Sequence, residues 1–252
     1  MDAPPPDPSS PTLVEAGDEL SLHFDRASVQ SRMSRVDPDH LVLDYTRTMM
    51  GFVLLAPAPA RIAMIGLGGG SLAKACRREL PDADFTTIEL SAEVIALRDV
   101  FGVPPDGPRF RVLHDDGAAY VAAPGPPLDV LLVDGFDGAG QPPSLCGAAF
   151  YAACAARLGR DGVLVVNLNA DATGYGGYVR RIRDAFGGGL AVVETADRQN
   201  KIVFAGRGAP FPPGRAVLLE RASMLESAGF PYALTSVAET IAASAERVRR
   251  RR

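Results

Sequence analysis

Between residues 61 and 168 the chain alternates between two kinds of hydrophobic pattern. RIAMIG (61–66), FTTIEL (85–90), RFRVLH (109–114), LDVLLVD (128–134) and GVLVVNL (162–168) are short apolar runs rich in β-branched residues. Their length and composition predict strands. Segments near 71–80, 91–100, 116–123 and 144–158 have helix-like spacing and separate those runs. Nearly all-apolar strands alternating with helices predict a parallel sheet covered on both faces.

The flanks read differently. Residues 1–12 are rich in proline and serine and are expected to be disordered. ELSLHFDRASVQ (19–30) alternates as a short β-hairpin, and HLVLDYTRTMMGFVLL (40–55) as a helix with an apolar face. Another helix is expected after Gly177. LAVVET (190–195) and KIVFAG (201–206) follow, joined by a connection over 196–200 too short for a helical crossover, so this pair is antiparallel. Residues 214–246 predict one or two closing helices, and Arg247 with Arg249–Arg252 forms a basic tail. No internal repeat is legible. The expected fold is α/β and Rossmann-like: a mostly parallel seven-stranded sheet with an antiparallel last strand. A small N-terminal hairpin and helix (13–56) precede the catalytic domain (57–246), and the tail (247–252) follows it.

Composition narrows the partners. At 252 residues and 47% hydrophobic content, one large α/β domain can bury a sizeable core. A formal net charge of −4 gives no electrostatic case for nucleic acid or an anionic membrane, and suits a small cationic substrate better than a phosphorylated one. Cys76, Cys146 and Cys154 lack CxxC spacing, so neither a disulfide framework nor a zinc site is expected. His23, His40 and His114 adjoin no nucleophile elbow, and no metal is expected. The chain shows no signal-peptide pattern and no apolar run of bilayer length, which predicts a cytoplasmic location without a membrane partner. A homodimer is expected from the frequency of such assemblies.

The candidate chemistry sits where strands end. Gly66-Leu67-Gly68-Gly69-Gly70-Ser71 follows the first parallel strand and opens a helix. Such a turn needs positive φ and lets a ligand approach the backbone and the free N–H groups of the helix start. Glu89 ends the next strand, where a carboxylate can accept both hydroxyls of a ribose. Asp115-Asp116-Gly117 ends the third, where an acid, Asp116 in preference, can accept from an adenine amino group. Ser71 replaces the third glycine of the dinucleotide fingerprint, and with the third-strand acid it favours an S-adenosyl cofactor over NAD. Asp134 and Asp137 lie three residues apart beyond the fourth strand, where Asp134 would face the reactive centre of the cofactor and Asp137 would sit slightly further out. One would hold a distal ammonium, the other accept a proton from the attacking nitrogen. A loop-capping role for Asp137 remains the structural alternative.

From Ile65 to Asn167 the chain resembles the spermidine synthase (polyamine aminopropyltransferase) family. The likeness is carried by the IGLGGGSLAK turn, Glu89, Asp116-Gly117 and the D-x-x-D of Asp134 and Asp137. It extends upstream to Gln30-Ser31-Arg32-Met33 and the helix bearing Tyr45. The resemblance implies transfer of an aminopropyl group from decarboxylated S-adenosylmethionine to a di- or polyamine, releasing methylthioadenosine. Asp134 would be the catalytic acid–base, Asp137 a diamine contact, Glu89 the ribose ligand and Asp116 the adenine ligand, with Tyr45 and Gln30 on the substrate side. The family's turn usually carries an aspartate where this chain has Gly69. Its tyrosine is often followed by glutamine where this chain has Thr46. Its proline-glycine-proline gate is here Gly138-Ala139-Gly140-Gln141-Pro142-Pro143. Alternatives on the same fold are an S-adenosylmethionine-dependent methyltransferase and a non-catalytic adenosine-nucleoside binder.

Overall fold

The structure, a computed structural model, describes residues 11–24, 29–136, 140–208 and 210–250. An antiparallel sheet of β1 (Thr12–Ala16), β2 (Glu19–His23) and β3 (Val29–Ser34) comes first. The expected hairpin is thus extended by one strand upstream, and part of the region expected to be disordered, Thr12, already pairs with His23. The period-two pattern of residues 12–16 was too weak to show this: β1 is exposed along almost its whole length.

The main sheet, among the described residues, has seven strands. Its members are β4 (Arg61–Ile65), β5 (Asp84–Glu89), β6 (Phe110–His114), β7 (Leu128–Val133), β8 (Leu158–Asn169), β9 (Leu190–Glu194) and β10 (Asn200–Gly206). Their spatial order is β6-β5-β4-β7-β8-β10-β9. Pairings from β6 across to β8 are parallel, and β10 runs antiparallel to both neighbours, as the short 196–200 connection requires. β7 and β8 are central, and their paired stretches 130–133 and 163–166 are apolar because side chains on both faces are buried. The order reverses between β4 and β7. In open parallel sheets that reversal leaves a crevice beyond the carboxyl ends of the strands.

Helices α1 (Asp44–Met49), α2 (Ser71–Glu79), α3 (Ala92–Ala96), α4 (Gly117–Ala122), α5 (Ala148–Arg157), α6 (Tyr175–Ala185), α7 (Arg215–Ser227) and α8 (Leu234–Arg250) fill the connections. The helix expected over 40–55 is shorter and broken. Arg47 Nη1 holds the Val42 carbonyl at 2.9 Å, so residues before Asp44 stay extended. Met50–Leu54 tighten into a 3-10 turn. Gly51 there lies so close to Val237 that a Cβ would come within 2.5 Å of its Cγ1. Likewise α5 starts at Ala148, after a separate 3-10 turn over Pro143–Leu145, and ends where Leu158 joins the sheet opposite Leu128.

Two hydrophobic clusters cover the faces of the main sheet. One includes Val130, Leu132, Val163, Val165 and Ile202, and it also takes in Leu20, Leu22 and Met33 of the N-terminal sheet. Both sheets therefore share this core. Lys74 of α2 is buried within it. Its ammonium donates to the carbonyls of Pro38 (2.6 Å) and Phe101 (2.8 Å), and burial lowers its pKa. This pins the chain after β3 against the helix that follows the glycine turn. Among the described residues no helix is long and apolar enough to cross a membrane.

Candidate active site

The glycine turn leaves β4 with three positive φ angles: Gly66 (+94°), Gly68 (+52°) and Gly70 (+69°). Gly70 is the residue from which α2 starts, and no side chain caps that helix. Its first N–H groups are thus left for a ligand. Gly66 is fixed by contact as well as by φ, because a Cβ on it would lie 2.4 Å from the Asp134 carbonyl oxygen. Asp134 N in turn donates to Ile65 O at 2.9 Å. The turn and the end of β7 form one joined edge.

Glu89, at the end of β5, uses one carboxylate oxygen on the Leu67 N–H (2.8 Å) and the other on the Ser91 N–H (2.9 Å). Each oxygen keeps a lone pair, so both can still receive a ribose hydroxyl. Asp116 caps α4, its Oδ1 accepting from Ala118 N (2.6 Å) and Ala119 N (3.2 Å). Asp115 Oδ1 accepts from Asp116 N at 2.8 Å. Both acids are exposed at the strand edge. Gly117 packs on Ile65, leaving no space for a Cβ (2.4 Å to Cγ2). These residues fit an adenosine group: a backbone cradle, a ribose acceptor and an acid beside the base.

Asp134 continues the Val130 and Leu132 face of β7. Asn167 continues the Val163 and Val165 face of β8, and Asn200 the Ile202 face of β10. Side chains two apart along a strand share a face, so all three meet under α1. Asp134 Oδ1 accepts from Asn167 Nδ2 at 2.8 Å, and Asn167 Oδ1 accepts from Asn200 Nδ2 at 2.9 Å. The Tyr45 hydroxyl, from α1, also hydrogen-bonds Asp134. Burial pushes the Asp134 carboxyl up to about 7, against the opposing pull of the Asn167 and Tyr45 hydrogen bonds. Burial, with the Asp134 charge beside it, raises the Tyr45 hydroxyl. A carboxylate poised near neutrality and held by two donors can accept a proton.

Most expected positions therefore converge on one edge. Gln30 sits at a β-bulge of the N-terminal sheet: Leu22 pairs Ser31 and His23 pairs Val29, leaving Gln30 as the extra residue. Bulges of this kind re-aim side chains. Its neighbour Ser31 lies against the glycine turn, and a Cβ on Gly69 would meet Ser31 Oγ at 2.6 Å and Phe101 Cδ1 at 2.9 Å. Asp137 lies outside the described residues, as do Gly138 and Ala139. Asn167, Asn200 and Ser31 were not singled out from the sequence. The one available signal was the polar Asn167 interrupting the apolar run of β8. Among the described residues no three His, Cys, Asp or Glu side chains group as metal ligands.

No protein-family model matches the chain. It is 37% identical over 215 residues to a polyamine aminopropyltransferase of Chromobacterium violaceum, covering 85% of this chain and 82% of that protein. To the polyamine aminopropyltransferase of Neisseria meningitidis serogroup B it is 35% identical over 218 residues, covering 86% and 83%. The chain belongs to the polyamine aminopropyltransferase family. This family places it among the transferases. Solved structures agree on the fold. A probable spermidine synthase of Corynebacterium glutamicum superposes with a TM-score of 0.70 at 20% identity, over 84% of this chain and 83% of that one. A spermidine synthase in complex with the transition-state analogue AdoDATO gives 0.68 at 19%, over 92% and 85%. Human methyltransferase-like protein 13 in complex with SAH gives 0.65 at 20%, over 78% and 93%. The Rossmann-like fold expected from the strand pattern is thus shared with both classes of enzyme.

Proposed function

We propose that the protein is an aminopropyltransferase using an S-adenosyl donor, specifically decarboxylated S-adenosylmethionine, and a small di- or polyamine acceptor. The observation that carries this is Asp134, held between Tyr45 and Asn167 directly beside the glycine turn. Glu89 would hold the ribose, Asp116 the adenine, and the Gly66–Gly70 backbone the donor's approach. Gln30 and Asp137 are assigned to the amine.

In the reaction the acceptor's neutral nitrogen attacks the propyl carbon bonded to sulfur. The N–C bond forms as the C–S bond breaks, and the bonding pair returns to sulfur, giving methylthioadenosine. The proton shed by the new ammonium passes to the Asp134 carboxylate. Since a sulfonium is already a good leaving group, the protein's tasks are placement and deprotonation. Asp134 keeps part of its surface accessible, so a substrate nitrogen can reach it.

A second reading, methyl transfer from S-adenosylmethionine, is favoured by Gly69, which gives the turn no carboxylate and whose Cβ position is crowded by Ser31 Oγ and Phe101 Cδ1. The deciding experiment supplies purified protein with both donors and a panel of amines, and identifies products by mass spectrometry. Methylthioadenosine with an extended polyamine supports the proposal. S-adenosylhomocysteine with a methylated product overturns it. A cytoplasmic homodimer is part of the same proposal, checked by light scattering and cell fractionation.

A further inference from the structure

Asn167 is almost fully buried, with 2% of its surface accessible. Its amide is nearly symmetric in shape but has chemically opposite ends. With the NH2 end toward Asp134 it stabilises the carboxylate. With the carbonyl end there it could only accept from a protonated acid. A buried carbonyl without a donor costs free energy, so whatever satisfies that carbonyl decides which end faces Asp134.

Asn200 supplies the donor, its Nδ2 lying 2.9 Å from Asn167 Oδ1. The turn carrying Asn200 is fastened on several sides. Asn200 N donates to Thr195 Oγ1 (3.1 Å), and Asn200 O accepts from Thr195 N and Thr195 Oγ1, both at 3.0 Å. Ala170 N donates to Gln199 O at 2.9 Å. Ala196 N donates to Asp44 Oδ2 at 2.5 Å, and Asp44 directly precedes Tyr45 on α1. The β9–β10 turn and the Tyr45 helix are therefore set against each other around Asp134.

We propose that Asn200 is a positioning residue: by satisfying the Asn167 carbonyl it keeps the Asn167 NH2 on Asp134 and so holds Asp134 ready to accept the amine proton. This rests on the reading of Asp134 as the proton acceptor. The groups facing Asp134 among the described residues are Tyr45 from α1, Asn167 from β8 and backbone from the glycine turn. Asp44 is turned to Arg47 and the Ala196 amide.

The test follows the protonation of Asp134 directly, by infrared titration of the carboxyl band that disappears in Asp134→Asn, together with the acid limb of kcat/KM against pH. In Asn200→Leu the midpoint should move up by about one pH unit, the size of one hydrogen bond to a charged group. Asn200→Ser, a smaller change, should move it in the same direction. Asn167→Leu should move it too, and adding Asn200→Leu to that variant should move it no further. A lower Tm or kcat with an unmoved midpoint overturns the proposal, as do shifts that add in the double variant. If Asp134→Asn keeps its turnover, the reading of Asp134 as proton acceptor falls, while the midpoints still judge the positioning by Asn200.

Discussion

Gly66 and Asp134 touch across the reversal point of the sheet: a Cβ on Gly66 would stand 2.4 Å from the Asp134 carbonyl oxygen. The turn assigned to the donor and the strand end assigned to proton transfer are thus mechanically coupled. Gly66→Ala must both adopt φ +94° and push β7 away. It should destabilise the fold by about 3 kcal/mol and abolish methylthioadenosine binding. Thermal melting and calorimetric titration check this, and an unchanged Tm would refute the coupling.

Asp134→Asn should uncouple stability from activity. The folded carboxyl is raised to about 7, so its protonated form favours folding. That contribution is fully present below the unfolded value, about 3.9, and is lost as pH rises through about 7. Asparagine does not ionise, so the variant should gain little at pH 5 and melt higher at pH 8. The difference is expected to be about 1–3 kcal/mol, reduced from the full shift because Asp134 keeps part of its surface accessible. Turnover should be lost while methylthioadenosine still binds. A Tm gain equal at both pH values would contradict the raised carboxyl.

Asp116 has two separable duties. Its Oδ1 caps α4, and the proposed adenine contact needs the longer reach of the carboxylate. Asp116→Ser retains a capping oxygen and should hold the folding stability within about 0.5 kcal/mol of the wild type. It should weaken methylthioadenosine binding roughly tenfold, the loss of one hydrogen bond. Asp116→Ala should lose both, with about 1 kcal/mol of stability gone. Undiminished binding by the serine variant would remove Asp116 from the base.

Gly69→Asp would restore the acid usual at this turn, into space held by Ser31 Oγ and Phe101 Cδ1. The crowding should cost about 1–3 kcal/mol. Replacing Ser31 by glycine in the same chain should recover part of it, and melting curves of the single and double variants measure both. A Gly69→Asp variant as stable as the wild type would show that the turn has room after all.

Periodicity and turn chemistry determined a good deal. Apolar runs of strand length placed β4 to β8, the five-residue connection made β10 antiparallel, and glycines at 66, 68 and 70 marked the positive-φ turn. Glu89, Asp116 and Asp134 were legible because strand ends in a parallel sheet share one edge, whatever the helices between them do. Other features depended on contacts between residues far apart in sequence. Nothing local marks β1 as a strand, since its stability comes from pairing with β2. Helix α1 stops short because Arg47 holds the carbonyl of Val42 and Gly51 meets Val237. Asn200 reads locally as a turn residue. It reaches Asn167 only because β10 inserts between β8 and β9, a strand order that no local pattern encodes. Local sequence fixes backbone preference and side-chain alternation. Which side chains meet is decided when distant strands pair, and at Asp134 that pairing supplies Asn167 from β8 and Asn200 from β10.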